Sequence, residues 1–176
     1  MVQKNMKIYD NFLSKTYHKE ILNLMTSDTF GWSYNNNITT ENIIGDDLSE
    51  YGFSHPFWEY PTGPSRSIDW PFIMPLIYNI MDTVGSEQIL RVRGDMTMYS
   101  PTGYKHNDHT DFDFPNIAAI YYVNDSDGNT VCLDQEVEPK SNRLVTFSGE
   151  IPHTGYSPSK HKNRILINSN YEKNKN

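Results

Sequence analysis

Two residues near the middle of the chain, His109 and Asp111, stand one position apart and are both of a type that binds metal ions. In an extended segment the side chains alternate between the two faces of the backbone, so these two would project to the same side. A second pair with the same spacing, His106 and Asp108, comes just before them. Because a regular strand can turn only one of the two pairs inward, the sequence leaves two alternatives.

The pair His109 and Asp111 is the preferred alternative. Phe112 follows Asp111 directly and begins an aromatic approach to the core. Asn107 and Asp108, by contrast, come after the turn-forming sequence Pro101-Thr102-Gly103 and are expected to be solvated. The alternative in which His106 and Asp108 bind the metal stays open at this point.

A third candidate ligand is His153, which follows a predicted strand over Arg143 to Phe147 and a turn over Ser148 to Pro152. Two histidines and one carboxylate form the facial triad that binds non-haem Fe(II). A histidine beside a proline is often a loop residue without a function, so His153 indicates a metal site only in combination with His109 and Asp111. Cys132 is the only cysteine, which excludes a thiolate-rich zinc or iron-sulfur site.

Arg164 opens a strand-like run in which alternation places Arg164, Leu166 and Asn168 on one face. If that face points inward, the buried guanidinium needs an anionic partner, and a carboxylate matches its planar geometry. A dicarboxylate cosubstrate would supply this partner. The alternative is a charge exposed at the strand edge, because the preceding His161-Lys162-Asn163 resembles a solvated turn.

The order His109-x-Asp111, His153, Arg164 resembles the 2-oxoglutarate and Fe(II)-dependent dioxygenases, most closely the prolyl 4-hydroxylase-like branch. Flanking segments resemble the same branch: Asp10 to Ser14 at the entry to the first helix, Ala119 to Asn124 in a core strand, and Pro139 to Phe147 before the distal histidine. The chain departs from the pattern at Leu166, where the family often has serine or threonine, and at Asp127-Gly128-Asn129, where it often has a pair of glycines.

This resemblance implies a double-stranded β-helix, or jelly-roll, core and an oxygenase that uses Fe(II) and 2-oxoglutarate. His109, Asp111 and His153 would bind the iron and act as the catalytic centre. Arg164 would pair with the distal carboxylate of 2-oxoglutarate, and Tyr99 resembles a tyrosine that hydrogen-bonds this cosubstrate, although a tyrosine of the strand core is the alternative. The implied reaction is hydroxylation of a small-molecule or peptide substrate, with conversion of 2-oxoglutarate to succinate and carbon dioxide.

The elements that would position these residues are two helices followed by many short strands. Apolar spacing predicts helices over Ser14 to Met25 and over Pro71 to Gly85. Predicted strands then follow, at Ile89 to Tyr99, Asn116 to Val123, Thr130 to Leu133, Arg143 to Phe147 and Arg164 to Tyr171. Between Asn35 and Trp70, many glycines and prolines predict a loop without long regular elements, whose role the sequence does not reveal.

These elements predict one α+β domain over 1–176 that is mainly β, with a helical and loop-rich part at 1–88 and a jelly-roll core at 89–171. The net charge of −7 disfavours nucleic acid and anionic membranes as partners. No apolar run is long enough to span a membrane and the N-terminus lacks a signal sequence, so a cytoplasmic location is expected. A rival function for the same fold is a catalytically inactive jelly-roll module that binds a metal or ligand.

Overall fold

Two antiparallel sheets face each other across an apolar layer in the computed structural model, which describes residues 6–36, 38, 51–64 and 67–174. The helices are α1 (Lys15–Met25) and α2 (Trp70–Val84). The strands are β1 (Lys7–Asp10), β2 (Ser33–Asn35), β3 (Gly52–Glu59), β4 (Gly63–Pro64), β5 (Ile89–Met98), β6 (Asn116–Tyr122), β7 (Thr130–Cys132), β8 (Gln135–Val137), β9 (Arg143–Ser148), β10 (His153–Gly155) and β11 (Asn163–Glu172).

The larger sheet has eight strands in the order β1-β9-β6-β11-β5-β3-β2, with β4 paired to β3. The smaller sheet has the order β10-β7-β8. Apolar side chains from both sheets pack together between them, including Ile120 and Val145 from the larger sheet and Cys132 and Val137 from the smaller one. This arrangement confirms the predicted α+β class with a mainly β, jelly-roll core.

Both predicted helices are confirmed, and both pack on the outer face of the larger sheet. Helix α1 begins after Ser14, whose hydroxyl accepts a hydrogen bond from the Tyr17 N–H. Helix α2 ends at Val84 and is capped by Gly85. The φ of Gly85 is 69°, a left-handed conformation that glycine adopts without strain. Ile21 and Ile77, from the two helices, join a core cluster with residues of β5, β6 and β11.

No helix in the described part of the chain has the length and apolar character needed to cross a membrane.

The prediction of a long irregular segment between Asn35 and Trp70 was wrong at β3, which pairs along its length with β5. Pro56 lies inside this strand, and the register with β5 shifts between Pro56 and Trp58, an irregularity of the kind that accommodates proline in a sheet. On the far side of β3, strand β2 pairs only as far as Ser54 and β4 only from Trp58, so the missing N–H of Pro56 faces neither strand. The parts of the predicted loop at 37, 39–50 and 65–66 lie outside the described residues.

A buried histidine ties helix α1 to the larger sheet. The Nδ1 atom of His18 lies 2.6 Å from the Tyr121 hydroxyl, and its Nε2 atom lies 2.6 Å from Ser141 Oγ. Burial lowers the pKa of His18 below the ordinary value for histidine, against a smaller opposing effect of Asp125. The neutral ring is therefore the form that the fold favours.

We expect His18 to contribute to the loss of stability in mild acid. Because its pKa is lower in the folded state than in the unfolded state, the unfolded chain binds the proton more readily, and stability falls as the pH drops below about 6.5. His18→Gln should make the fall in the free energy of unfolding between pH 6.5 and 5 shallower, as measured by urea denaturation. Tyr121→Phe keeps the titrating ring and should retain the slope of the unaltered protein; equal slopes in both variants would contradict the assignment.

Candidate active site

A cavity of about 290 Å³ opens between the two sheets. Its wall includes residues from the larger sheet on β2, β3, β5, β6 and β11, and residues from the smaller sheet on β7 and β10. His109 and His153 line it, and so does Arg164. Three of the residues predicted from the sequence to act together therefore share one cavity.

His109 and His153 face each other across an isolated antiparallel bridge. Each residue donates its backbone N–H to the carbonyl oxygen of the other, at 3.0 and 2.9 Å. The two ring centroids are 4.7 Å apart. This bridge adds the segment around His109 to the free edge of β10, and it fixes the relative position of the two imidazoles.

The imidazoles of His109 and His153 are each oriented by a hydrogen bond to the backbone carbonyl two residues earlier in the chain. The Nδ1 atom of His109 lies 3.2 Å from the carbonyl oxygen of Asn107, and the Nδ1 atom of His153 lies 3.2 Å from that of Ile151. A carbonyl can only accept, so Nδ1 carries the proton in each ring and Nε2 presents its lone pair. Burial lowers the pKa of His153, although Asp111 acts in the opposite direction, and this favours the neutral ring that binds metals.

Asp111 completes a group of three possible metal ligands. His109 Nε2 lies 4.0 Å from Asp111 Oδ1, and His153 Nε2 lies 3.8 Å from Asp111 Oδ2. One ligand atom from each of the three residues can be chosen so that all lie within 4.8 Å of one another. Both imidazoles therefore turn the nitrogen that can bind a metal toward the same carboxylate.

The carboxylate of Asp111 is held by two residues of the larger sheet. Its side chain is only 4% exposed, and Arg91 Nη2 on β5 lies 2.5 Å from Oδ1. Asn170 on β11 donates its Nδ2–H to Oδ2 at 3.0 Å. Burial alone would raise the pKa of Asp111, but the charge of Arg91 and the hydrogen bonds from Asn170 and Arg91 outweigh it and hold the pKa well below its usual value. Asp111 is therefore ionised.

The alternative pair, His106 and Asp108, does not form such a group. His106 is buried, but its Nε2 lies 3.0 Å from Ser157 Oγ. Asp108 is exposed and lies 3.7 Å from the ammonium group of Lys105. Among the described residues, the group of three possible metal ligands is the one that contains His109 and Asp111. The geometry favours this pair, and metal binding there stays a prediction.

Arg164 lies on β11 with its side chain buried in the cavity wall, at 7% exposure. Its Nη2 donates to Thr130 Oγ at 2.6 Å, while its Nε has no hydrogen-bond partner in the described structure. None of the ion pairs found among the described residues involves Arg164. The cationic group thus lies in the cavity beside a neutral partner.

Thr130 and Tyr122 are residues of this end of the cavity that the sequence analysis missed. The Tyr122 hydroxyl donates to Thr130 Oγ at 2.6 Å, so Thr130 accepts hydrogen bonds from both Tyr122 and Arg164. With both of its lone pairs used, the Thr130 hydroxyl has its own proton left to donate. It can supply the hydroxyl contact that Leu166, which also lines the cavity, cannot make.

Gly155 on β10 permits the position of Arg164. A Cβ atom at Gly155 would lie 2.7 Å from Arg164 Nη1, closer than real Cβ atoms come to other heavy atoms. Tyr99, in contrast, is 52% exposed just beyond the end of β5 and is not among the residues that line the cavity. The contact of Tyr99 with a cosubstrate stays a prediction, and nothing in the geometry supports it.

Comparisons with known proteins identify the fold. No protein-family model matches the sequence, and no curated protein matches it. Among solved structures, a prolyl hydroxylase from Trichoplax adhaerens, in complex with a peptide from the oxygen degradation domain of hypoxia inducible factor, is similar with a TM-score of 0.68 and 17% identity over 96% of this chain and 84% of that one. A prolyl-4-hydroxylase from Pseudomonas putida is similar with a TM-score of 0.64 and 14% identity over 97% and 94% of the two chains.

The epimerase SnoN, in complex with Fe3+, α-ketoglutarate and nogalamycin RO, is also similar, with a TM-score of 0.70 and 9% identity over 96% of this chain and 78% of that one. At such low identity these likenesses establish the fold. The chain has the prolyl hydroxylase-like fold of the 2-oxoglutarate and Fe(II)-dependent oxygenases.

The first test of the site asks which histidine binds a metal. His109→Ala should abolish binding of Mn(II), an inert substitute for Fe(II), because a facial site needs all three ligands. His106→Ala is the matched control and should retain most of the binding, since His106 is hydrogen-bonded to Ser157. Isothermal titration calorimetry measures both. Loss of binding in His106→Ala alone would transfer the site to the alternative pair.

A second test concerns the ion pair between Arg91 and Asp111. Arg91→Met should lower the stability of the metal-free protein by about 3–5 kcal/mol, because it leaves a buried carboxylate without its countercharge. A metal ion would then replace the missing positive charge, so the rise in Tm on adding Mn(II) should be larger than in the unaltered protein. Arg93→Met is the matched control, since Arg93 forms its ion pair with Asp95 and acts on Asp111 only more weakly and without direct contact. An equal rise in all three proteins would show that Arg91 and the metal do not share Asp111.

Proposed function

We propose that this protein is a 2-oxoglutarate-dependent non-haem iron dioxygenase that hydroxylates a small-molecule or peptide substrate. One observation carries the proposal. The two histidines of a His-Asp-His group line one cavity together with a buried arginine that has no carboxylate partner among the described residues, and the ionised carboxylate of the group lies beside them. The first group suits Fe(II), and the arginine suits the distal carboxylate of 2-oxoglutarate.

The donor set fits iron. His109, Asp111 and His153 offer two imidazole nitrogens and one carboxylate oxygen within 4.8 Å of one another, and this is the donor set that would bind Fe(II) in a facial triad. The carbonyl groups that accept from the two Nδ1–H groups hold each ring with Nε2 facing the metal position. Arg91 contacts Oδ1 of Asp111 and Asn170 contacts Oδ2, but each oxygen keeps a further lone pair. The carboxylate is therefore held in place and can still bind a metal ion.

The other end of the cavity fits a carboxylate. The guanidinium of Arg164 would form charge-assisted hydrogen bonds with it, and the Thr130 hydroxyl would donate a third. Tyr122 holds Thr130 in the orientation that makes this possible, because the Tyr122 proton fills the second lone pair of Thr130. The resident residues thus bind and orient the cosubstrate from its distal end.

When bound, Fe(II) and 2-oxoglutarate supply the activation of dioxygen, which is coupled to the formation of succinate and carbon dioxide and to oxidation of a C–H bond. The residues of this chain bind both groups, orient the substrate bond and keep bulk water away from it. Hydroxylation is the outcome that we propose. The similar epimerase SnoN is the reason that product analysis has to accompany any assay of 2-oxoglutarate consumption.

The rival function is a jelly-roll module that binds a metal or ligand without turnover. The two are separated by succinate formation from 2-oxoglutarate in the presence of Fe(II), ascorbate and oxygen, measured without added substrate. An oxygenase produces succinate slowly in this uncoupled reaction, and His153→Ala abolishes it. A protein that binds Mn(II) but never forms succinate would favour the inactive module.

The role of Arg164 is tested by the apparent KM for 2-oxoglutarate. Arg164→Met should raise it by about 10- to 100-fold, which corresponds to the roughly 1.5–3 kcal/mol of a charge-assisted hydrogen bond. Thr130→Val preserves the shape of the side chain and should raise it by roughly 3- to 10-fold, as expected for a neutral hydrogen bond. Affinity for Mn(II) should change little in either variant. An unaltered KM in Arg164→Met would require another partner for the distal carboxylate.

A further inference from the structure

The cavity wall carries a second charged group that the proposed function leaves without a role. Arg93 and Asp95 stand two positions apart on β5, with their side chains on the same face. Arg93 Nε lies 2.6 Å from Asp95 Oδ1, and Arg93 Nη2 lies 3.1 Å from Asp95 Oδ2. Both residues line the cavity. They therefore form a two-pronged ion pair inside the cavity.

This ion pair lies on a different side of the cavity from Arg164. In the larger sheet, β11 is between β6 and β5, and Asn168 on β11 is opposite Ile120 on one side and Arg93 on the other. The backbone of Arg164 pairs with β5, but its guanidinium lies on the side toward β6 and the smaller sheet, over the Tyr122 ring and beside Thr130. The side toward β5, β3 and β2 holds the ion pair. If 2-oxoglutarate takes the first side, the second is left for the substrate.

The ion pair keeps both donor and acceptor capacity. The side chains of Arg93 and Asp95 are 33% and 21% exposed, so each is partly open. A guanidinium retains further N–H donors after it has bound one carboxylate, and a carboxylate retains further lone pairs. Asn168, which faces Arg93 across the strands, is only 7% exposed and its Oδ1 has no hydrogen-bond partner in the described structure. Three polar groups on one wall thus have unused hydrogen-bonding capacity.

We propose that Arg93 and Asp95 recognise the carboxylate and the ammonium group of a free α-amino acid, and that this class of molecule is the substrate. Its carboxylate binds the guanidinium of Arg93, and its ammonium group binds the carboxylate of Asp95 beside Asn168. The inference rests on the proposed function, because it assigns the substrate of that same site.

Charge balance favours a zwitterion over the other candidates. The described residues of this side carry one positive and one negative charge, so a zwitterion adds no net charge to a partly desolvated space. A molecule with a single charge would leave one member of the pair repelled or unmatched. A peptide amide in mid-chain carries no ions, so it would desolvate Arg93 and Asp95 with only neutral hydrogen bonds in return.

The experiment has two steps, both on the full chain. The first measures the rise in Tm with Mn(II) and then with 2-oxoglutarate, and failure here means that the proposed function itself is wrong. The second adds each of the twenty common L-amino acids to the protein loaded with Mn(II) and 2-oxoglutarate, and measures Kd by calorimetry for those that bind. Every amino acid that binds is then compared with its N-acetyl form, its carboxamide and the doubly capped residue.

At least one free amino acid should bind, and each cap should weaken its binding by about 10-fold or more, since each removes one charge-assisted contact. Arg93→Met should remove the discrimination against the carboxamide, and Asp95→Asn should remove the discrimination against the N-acetyl form. Because each variant should lose the discrimination against one capped form and keep it against the other, the result distinguishes recognition from a general loss of structure. The comparison of free and capped amino acids on the unaltered protein does not require either variant to fold.

Two results would overturn the inference while leaving the proposed function in place. One is a protein that binds Mn(II) and 2-oxoglutarate but none of the twenty amino acids. The other is a capped amino acid or short peptide that binds as tightly as the free form, which would make a peptide the substrate.

Discussion

The buried carboxylate of Asp111 is the group on which the arrangement of the site depends. A carboxylate at 4% exposure stays ionised only if it is paired and hydrogen-bonded, and both requirements are met by the larger sheet, through Arg91 and Asn170. Two residues earlier, His109 is bound to the smaller sheet through its backbone bridge to His153. The short segment from His109 to Asp111 therefore joins the two sheets, and the three candidate ligands meet where it crosses between them.

The charged residues of β5 also differ in how their charges are paired. Arg91, Arg93 and Asp95 all project from one face, and each has a different electrostatic partner: Arg91 binds Asp111, whereas Arg93 and Asp95 bind each other. Arg164, across the cavity on β11, has a neutral partner in Thr130. Among the described residues, Arg91 and Arg93 are thus paired with carboxylates of the protein, whereas Arg164 is not. This difference is the reason for proposing Arg164, and not Arg91, as the partner of an anionic ligand.

Sequence reasoning was successful where periodicity decides the structure. The helices over 15–25 and 70–84 follow from apolar spacing, and the common face of Arg164, Leu166 and Asn168 follows from strand alternation, although only the structure shows that this face lines the cavity. It failed where the answer depends on which strands pair. β3 was missed because the glycines and prolines of this segment, Pro56 among them, argue against a strand. Pro56 is accommodated by the register shift beside it and by the positions where β2 ends and β4 begins, and neither can be read from the sequence. Thr130 was missed for a similar reason, because its contact with Arg164 joins β7 to β11 across the cavity, which no local pattern encodes. The choice between His106 and His109 likewise needed the bridge to His153.

The inner face of the larger sheet is divided between packing and binding. Ile120 and Val145, on β6 and β9, face the smaller sheet and close the apolar layer. On β11, by contrast, Arg164 Nε and Asn168 Oδ1 are buried without hydrogen-bond partners in the described structure. A buried polar atom without a partner costs roughly 1–3 kcal/mol, so these positions make the free protein less stable than an apolar wall would. A ligand that pairs with them removes this cost only in the folded state, so its binding is coupled to the stability of the fold. Polar groups that are unfavourable for the folding of the free protein are therefore the groups that can bind a ligand at this part of the sheet.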